Sequence, residues 1–230
     1  QKKKLKTKKN KTKQKQQEKQ KKIITFIKLL FINMFINKKF ILASSSKSRF
    51  NILNNAKLSF VKQKPKCNEE IIKKRLKKEN NRPEQIVKIL AKEKAKSISL
   101  LNPTKIVVGC DTVVIFKNNV IDKVKDRKSA FNKIKKLSGK KHKIVSSVSV
   151  FKNKKEIWAH TEKTIVEIRK LTDKNIYNYI KTNGKEVFES AGCYKAESFG
   201  PTIIKNIKGD FFNVMGFPLF QFLDFLDKNK

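Results

Sequence analysis

Apolar and polar positions change rhythm several times along this chain, and each change marks an element. Lys39 to Ala43 is almost continuously apolar, as expected of a buried strand, and three serines separate it from a short helix over Lys47 to Asn55 with Ile52 and Leu53 on its inner side. Leu58 to Val61 reads as a strand, residues 65–70 as a loop ending in Asn-Glu-Glu, and Arg75 to Arg82 as a polar connector. Pro83 then opens an amphipathic helix whose Ile86, Ile89, Leu90, Ala95 and Ile98 recur every three or four positions, until Asn102-Pro103 ends it. Ile106 to Phe116 is rich in β-branched residues and predicts a strand, turning at Lys117-Asn118-Asn119 and returning through Val120-Ile121. Asp126 caps a predicted helix through Ala130, Ile134 and Leu137, stopped by Gly139. Lys143 to Phe151 and Ile157 to Ile168 alternate in polarity, an antiparallel pair about Lys152-Asn153-Lys154. Thr172 caps a further helix (Ile176, Tyr179, Ile180) that ends at Gly184. A Gly/Phe-rich loop from Ala191 to Gly200, a strand over Thr202 to Ile207, a turn at Gly209-Asp210 and a last helix from Pro218 to Leu226 complete the pattern. The order predicts a mixed α/β chain without internal repeats.

Composition narrows the picture in two places. With 230 residues, 38% of them apolar and 17 of them Phe, the chain can build one α/β core or two small ones. A formal charge of +38 would ordinarily point to nucleic acid or an anionic surface. Twelve of the lysines, however, lie in residues 1–22, and Lys, Asn and Ile are abundant throughout, so the basicity is general rather than focused. Residues 1–22 carry almost no apolar residue, and the stretch Ile23 to Ile36 is too short and too interrupted by Lys28 and Asn33 to span a membrane. The expectation is a native start at Met34, with residues 1–33 an extension outside the fold and 34–230 forming one domain. Cys67, Cys110 and Cys193 have neither zinc nor disulfide spacing and fit a reducing cytoplasm, and His142 and His160 share no metal-ligand spacing.

Chemistry enters at Leu42-Ala-Ser-Ser-Ser-Lys-Ser-Arg49. Strand, three hydroxyls, lysine and arginine at one helix N-terminus bring together N–H donors, O–H donors and cations, the local means of holding phosphate oxygens. The plainer alternative is a Ser-rich cap with a solvated Lys and Arg. Asp111 interrupts a strand that otherwise favours Val and Ile, and a carboxylate there must be paired, metal-bound or functional, or else cap a bulge. Glu69 and Glu70 supply further carboxylates, Lys94 and Lys123 further cations, and the set suits a polyphosphate accompanied by Mg²⁺.

The segment Phe40-Ile-Leu-Ala-Ser-Ser-Ser-Lys-Ser-Arg-Phe-Asn-Ile-Leu53 resembles the opening signature of the Maf family of nucleoside triphosphate pyrophosphatases. Asn68-Glu69, Ala91 to Ala95, Val108-Gly-Cys-Asp-Thr-Val113, Leu137 to His142 and the two closing segments Ala191 to Gly200 and Gly209 to Leu219 agree in order and spacing. The resemblance covers about residues 38–226. It implies a single α/β domain with an elongated, twisted mixed sheet flanked by helices and a deep substrate cleft, of the Maf and inosine triphosphatase type, often paired as a homodimer. It also implies hydrolysis of a nucleoside triphosphate to monophosphate and pyrophosphate with a divalent metal, Mg²⁺ or else Mn²⁺ or Co²⁺. Carried onto this chain, Ser44, Ser46 and Arg49 would hold phosphate with Lys94 and Lys123 beside them. Asp111 would accept the proton of the attacking water, and Glu69 with Asp111 would hold the metal.

Ser48 stands where the family usually has an Arg that faces phosphate or base, and Val124 where it has Pro, so one cation and one rigid turn are missing and the resemblance implies Ser48, with Thr112 and Glu197, as a specificity position. Thr112 matches the pyrimidine-directed (dTTP/UTP) members, whereas Glu197 in the Tyr194 to Glu197 pattern matches members directed at 7-methyl-GTP. A carboxylate accepts from two guanine N–H groups, which leans the expectation toward a guanine-type or otherwise modified base. The competing class is a basic nucleic-acid-binding protein using residues 1–33, but the aromatic and arginine interleaving of single-strand binders is missing from the sequence.

Overall fold

The structure, a computed structural model, describes residues 39–229; the expected extension 1–33 and the Met34 start lie outside the described residues. Seven strands form one sheet: β1 (Phe40–Ala43), β2 (Phe60–Gln63), β3 (Ile106–Phe116), β4 (Asn119–Ile121), β5 (Lys141–Lys152), β6 (Lys155–Ile168) and β7 (Ile204–Lys208). They run in the order β2-β1-β3-β5-β6-β7, with β4 folded back on β3. The β1 pairings to β2 and β3 are parallel and the rest antiparallel, so the sheet is mixed. The helices are α1 (Lys47–Asn55), α2 (Glu69–Lys78), α3 (Pro83–Ser99), α4 (Arg127–Leu137), α5 (Asp173–Asn183), α6 (Phe211–Met215) and α7 (Leu219–Lys228).

Most boundaries follow the polarity pattern. The β5–β6 hairpin turns at Asn153 and Lys154, both at positive φ, which matches the twist of the flanking strands across a two-residue loop. Residues 75–82, expected to be a connector, are different: α2 runs through Lys78, and only the turn at residues 79–82 connects. Asn68 Oδ1 caps α2 by accepting from Ile71 N at 3.1 Å, and Leu76 is its one buried residue. A helix with a single buried position and many lysines carries little apolar periodicity, which is why the pattern concealed it.

Two large apolar clusters and three smaller ones fill the fold among the described residues. Of the large ones, one gathers Val114, Ile134, Leu137, Ile144, Ile168 and Ile176 under α4 and α5; the other gathers Phe40, Leu42, Leu53, Val108, Phe217 and Phe222 under α1 and α7. Along β3 the side chains alternate. Val107, Val113 and Ile115 pack on the α3 side, and Val108, Cys110 and Val114 on the other. Helix α3 lies directly on β3 because Gly109 has no Cβ. One built there would stand 2.3 Å from Ala91 O and 2.5 Å from Ala95 N.

One edge of β3 is left open. β1 accompanies it only to the Ala43–Gly109 pair, and β4 joins only from Val114. Residues 110–113 therefore face a gap at the carboxyl end of β1, the kind of crevice in which open α/β sheets bind ligands.

Candidate active site

The gap opens into a cleft of about 310 Å³. The short β1 delivers Ser44 and Ser46 to its edge. Ser46 caps α1, its Oγ accepting from Arg49 N at 3.3 Å, and the buried Ser44 Oγ accepts from Ser46 N at 3.2 Å. Arg49, one turn into α1, turns inward. Its Nε donates to Gly216 O at 2.9 Å, Nη1 to Ser44 Oγ at 3.3 Å and Nη2 to Thr112 Oγ1 at 2.9 Å. Three of the five guanidinium N–H groups thus bind the protein, leaving two for an anion. Thr112 Oγ1 lies 2.9 Å from Ser146 Oγ, so the hydroxyls and the guanidinium together tie α1, β3, β5 and the Gly216 loop around the cleft.

On the opposite face of β3, Asp111 meets Lys94. The lysine occupies a position of the buried stripe of α3 (Val87, Leu90, Ala91, Ala95, Ile98), where a cation demands partners. Its Nζ lies 2.6 Å from Asp111 Oδ1 and 2.8 Å from Glu69 Oε2. The close fit at Gly109, two residues before Asp111 on the same strand face, sets this meeting. Asp111 is buried, and its Oδ2 has no hydrogen-bond partner among the described residues. A buried carboxylate in the wall of a cleft, with one oxygen held by an ammonium and the other without a partner, can accept a proton or ligate a cation.

Ser46, Ser48, Arg49, Glu69, Lys94 and Asp111 all line the cleft, as do Thr112 and Lys123. Ser44 stands behind them, bonded to Arg49. Glu197 is exposed and is not among the lining residues. In its loop Tyr194 and Ala196 are turned into the core, and the tight turn from Lys195 O to Gly200 N (2.8 Å) leaves Glu197 on the outer side.

The structure adds residues that the sequence reading passed over. Lys73 lines the cleft from α2, four positions after Glu69, a spacing that would have signalled it had the helix been recognised. Glu189 lines it too; the hydrogen bond from Lys195, at 2.5 Å, holds its carboxyl below the usual range. Tyr194, Val214 and Met215 form an apolar wall. Tyr194 is fixed from behind by His142, Nε2 to OH at 2.5 Å, and by Ser190 Oγ, 2.9 Å from Tyr194 N. Burial pushes the His142 imidazole down to about 4 and the Tyr194 phenol up, so both are neutral near pH 7.

No group of three or more His, Cys, Asp and Glu able to hold a metal occurs among the described residues. The donor set Asp111 and Glu69 nevertheless fits a Mg²⁺ that takes one or two carboxylates and fills its shell with water and substrate phosphate, and the unpartnered Asp111 Oδ2 is an available ligand. Among the described residues no helix is long and apolar enough to cross a membrane.

The family model described as Maf-like protein matches residues 39–229. A "Nucleoside triphosphate pyrophosphatase" of Ruegeria pomeroyi is 34% identical over 81% of this chain and 94% of its own length. A "dTTP/UTP pyrophosphatase" of Aquifex aeolicus is 37% identical over 78% of this chain and 89% of its own. A "7-methyl-GTP pyrophosphatase" of Bartonella quintana is 34% identical over 80% and 91%. With its motifs gathered around one cleft and its whole described length matched, the chain belongs to the Maf-like protein family.

Proposed function

We propose that this chain hydrolyses a nucleoside triphosphate to the monophosphate and pyrophosphate. The observation that carries the reading is the buried Asp111, gripped by Lys94 on one oxygen and unpartnered on the other, in the wall of a cleft that also presents Arg49, Lys73 and Lys123. Ser46, Ser48 and the two remaining Arg49 donors would bind phosphate oxygens, while Lys73 and Lys123 neutralise charge at the mouth. The Asp111 carboxylate orients a water and takes its proton as the oxygen adds to the α-phosphorus; the bond from that phosphorus to the bridging oxygen breaks, and pyrophosphate leaves. Lys94 keeps the Asp111 carboxylate in place during the transfer and, with the protein dipoles of the cleft, supplies positive charge. Such positioning and charge neutralisation account for most of the catalysis that phosphoryl transfer requires. A divalent cation, when bound by Asp111 and Glu69, would draw charge from the phosphate oxygens.

For the base, the dTTP/UTP type is the reading we favour. Thr112, shared with pyrimidine-directed members, stands in the cleft and acts through Arg49 and the Gly216 carbonyl, whereas Glu197, the residue that suggested 7-methyl-GTP, is exposed outside it. The experiment is a panel of dTTP, UTP, GTP and 7-methyl-GTP scored for pyrophosphate release with Mg²⁺, Mn²⁺ or Co²⁺ and with chelator. Release from at least one nucleotide, lost with chelator, is expected. Salt-dependent binding of nucleic acid by a chain that releases pyrophosphate from none of them would replace this reading with the nucleic-acid-binding one.

A further inference from the structure

Next to the cleft lies a second cavity of about 520 Å³, between α2 and the β3–β4 hairpin. The two are continuous: Lys73, Thr112, Lys123 and Ala191 line both. The groove has two chemical characters. Its rim carries Lys73, Lys74, Lys77 and Lys123, against the carboxylates of Glu70 and Asp122. Lys77 and Asp122 form only a long, exposed pair at 3.8 Å. Its floor is apolar, made by Ile86, Val113, Val120 and Ile121. A lysine rim over an aliphatic floor is matched by a nucleoside carrying phosphates, since the base face buries apolar surface on the floor while the phosphates meet the ammonium groups.

A nucleoside triphosphate seated in the first cavity would end its phosphate chain near the shared lysines and leave this groove unfilled. We infer that the groove receives the second nucleoside of a dinucleoside polyphosphate, with the phosphate chain crossing between Lys73 and Lys123. The inference rests on the hydrolytic reading of the cleft. The reaction balances with water alone. Water oxygen bonds to the α-phosphorus of the nucleoside in the cleft, its proton passes to Asp111, and the bond from that phosphorus to the bridging oxygen breaks with its electron pair going to the departing chain. A dinucleoside tetraphosphate therefore gives one nucleoside monophosphate and one nucleoside triphosphate.

The test uses the full chain and the double variant Lys74→Glu/Lys77→Glu, both positions exposed and neither lining the first cavity. Chromatographic separation should show monophosphate and triphosphate from a dinucleoside tetraphosphate. The variant should lose roughly tenfold in kcat/KM on that substrate, the size expected for reversing two rim charges, and stay within about twofold on a nucleoside triphosphate. A chain that hydrolyses triphosphates but leaves the dinucleoside tetraphosphate intact overturns the inference, as do equal losses on both substrates or no loss on either. A chain that hydrolyses neither overturns the function proposed above, and the groove is then judged by calorimetric binding to Asp111→Asn protein. Binding of the dinucleoside tetraphosphate about tenfold tighter than a nucleoside tetraphosphate of the same base, and its loss in the triple variant with Lys74→Glu and Lys77→Glu, would uphold the groove. Equal binding of the two ligands would remove it.

Discussion

Gly109→Ala tests whether helix–strand contact sets the active-site pair. The added Cβ would stand 2.3 Å from Ala91 O, 2.5 Å from Ala95 N and 2.9 Å from Ala95 Cβ. Two of these atoms are backbone, so no rotamer change relieves them, and α3 must withdraw from β3 by about 1 Å to restore ordinary contact. The helix cannot withdraw alone, because Val87, Leu90, Ala91 and Ala95 are all fully buried on its inner face. Overpacking of this kind costs about 1–3 kcal/mol. For a chain of this size that corresponds to a fall in Tm of roughly 3–10 °C. Lys94 rides on the displaced turn, and its 2.6 Å contact to Asp111 and 2.8 Å contact to Glu69 would lengthen together. A misplacement of about 1 Å in a catalytic constellation lowers turnover by up to about 10²-fold. Thermal melts and pyrophosphate release from the preferred nucleotide measure the two effects on one preparation. A variant that melts within a degree of the parent and keeps its kcat would refute the argument that Gly109 positions Lys94 over Asp111.

Three further outcomes are expected. Asp111→Asn should lower kcat by roughly 10²–10⁴ while leaving triphosphate affinity within a few-fold, measured by turnover and by calorimetry; parent-like kcat at saturating metal would remove Asp111 as the base. Arg49→Lys cannot reach Gly216 O, Ser44 Oγ and Thr112 Oγ1 together, so it should destabilise the fold by about 1–3 kcal/mol and raise KM, and an unchanged melt with unchanged KM would contradict the bracing role. The His142 imidazole is held at about 4 by burial, below its unfolded value, so the unfolded chain binds more protons between the two values. The resulting stability is present above about pH 6.5 and lost as pH falls toward 4, about 3 kcal/mol in all. Denaturant titrations should show that His142→Gln removes this part of the acid sensitivity; an identical pH dependence in parent and variant would exclude it.

Much of the fold was legible because it rests on local signals. Pro83 and the stripe Ile86, Leu90 and Ile98 mark α3, Asp126 and Thr172 mark the caps of α4 and α5, and the alternating runs mark β5 and β6. α2 escaped because one buried residue in ten leaves no stripe to read. The five-residue α6 was passed over within a motif, although Asp210 caps it and Asn213 is its buried residue.

The site divides along the same line. Sequence alone determined that hydroxyls and an arginine follow β1 and that a carboxylate interrupts β3, because these are neighbours along the chain or exceptions to a local pattern. Tertiary structure decided what they do to one another. The absence of a Cβ at Gly109 lets α3 bring Lys94 to Asp111, and the Gly216 carbonyl, far away in sequence, turns Arg49 inward. The same packing draws Lys73 and Tyr194 to the cleft and leaves Glu197 in solvent, since the wall on which a loop residue lies depends on what the rest of the chain packs beneath it.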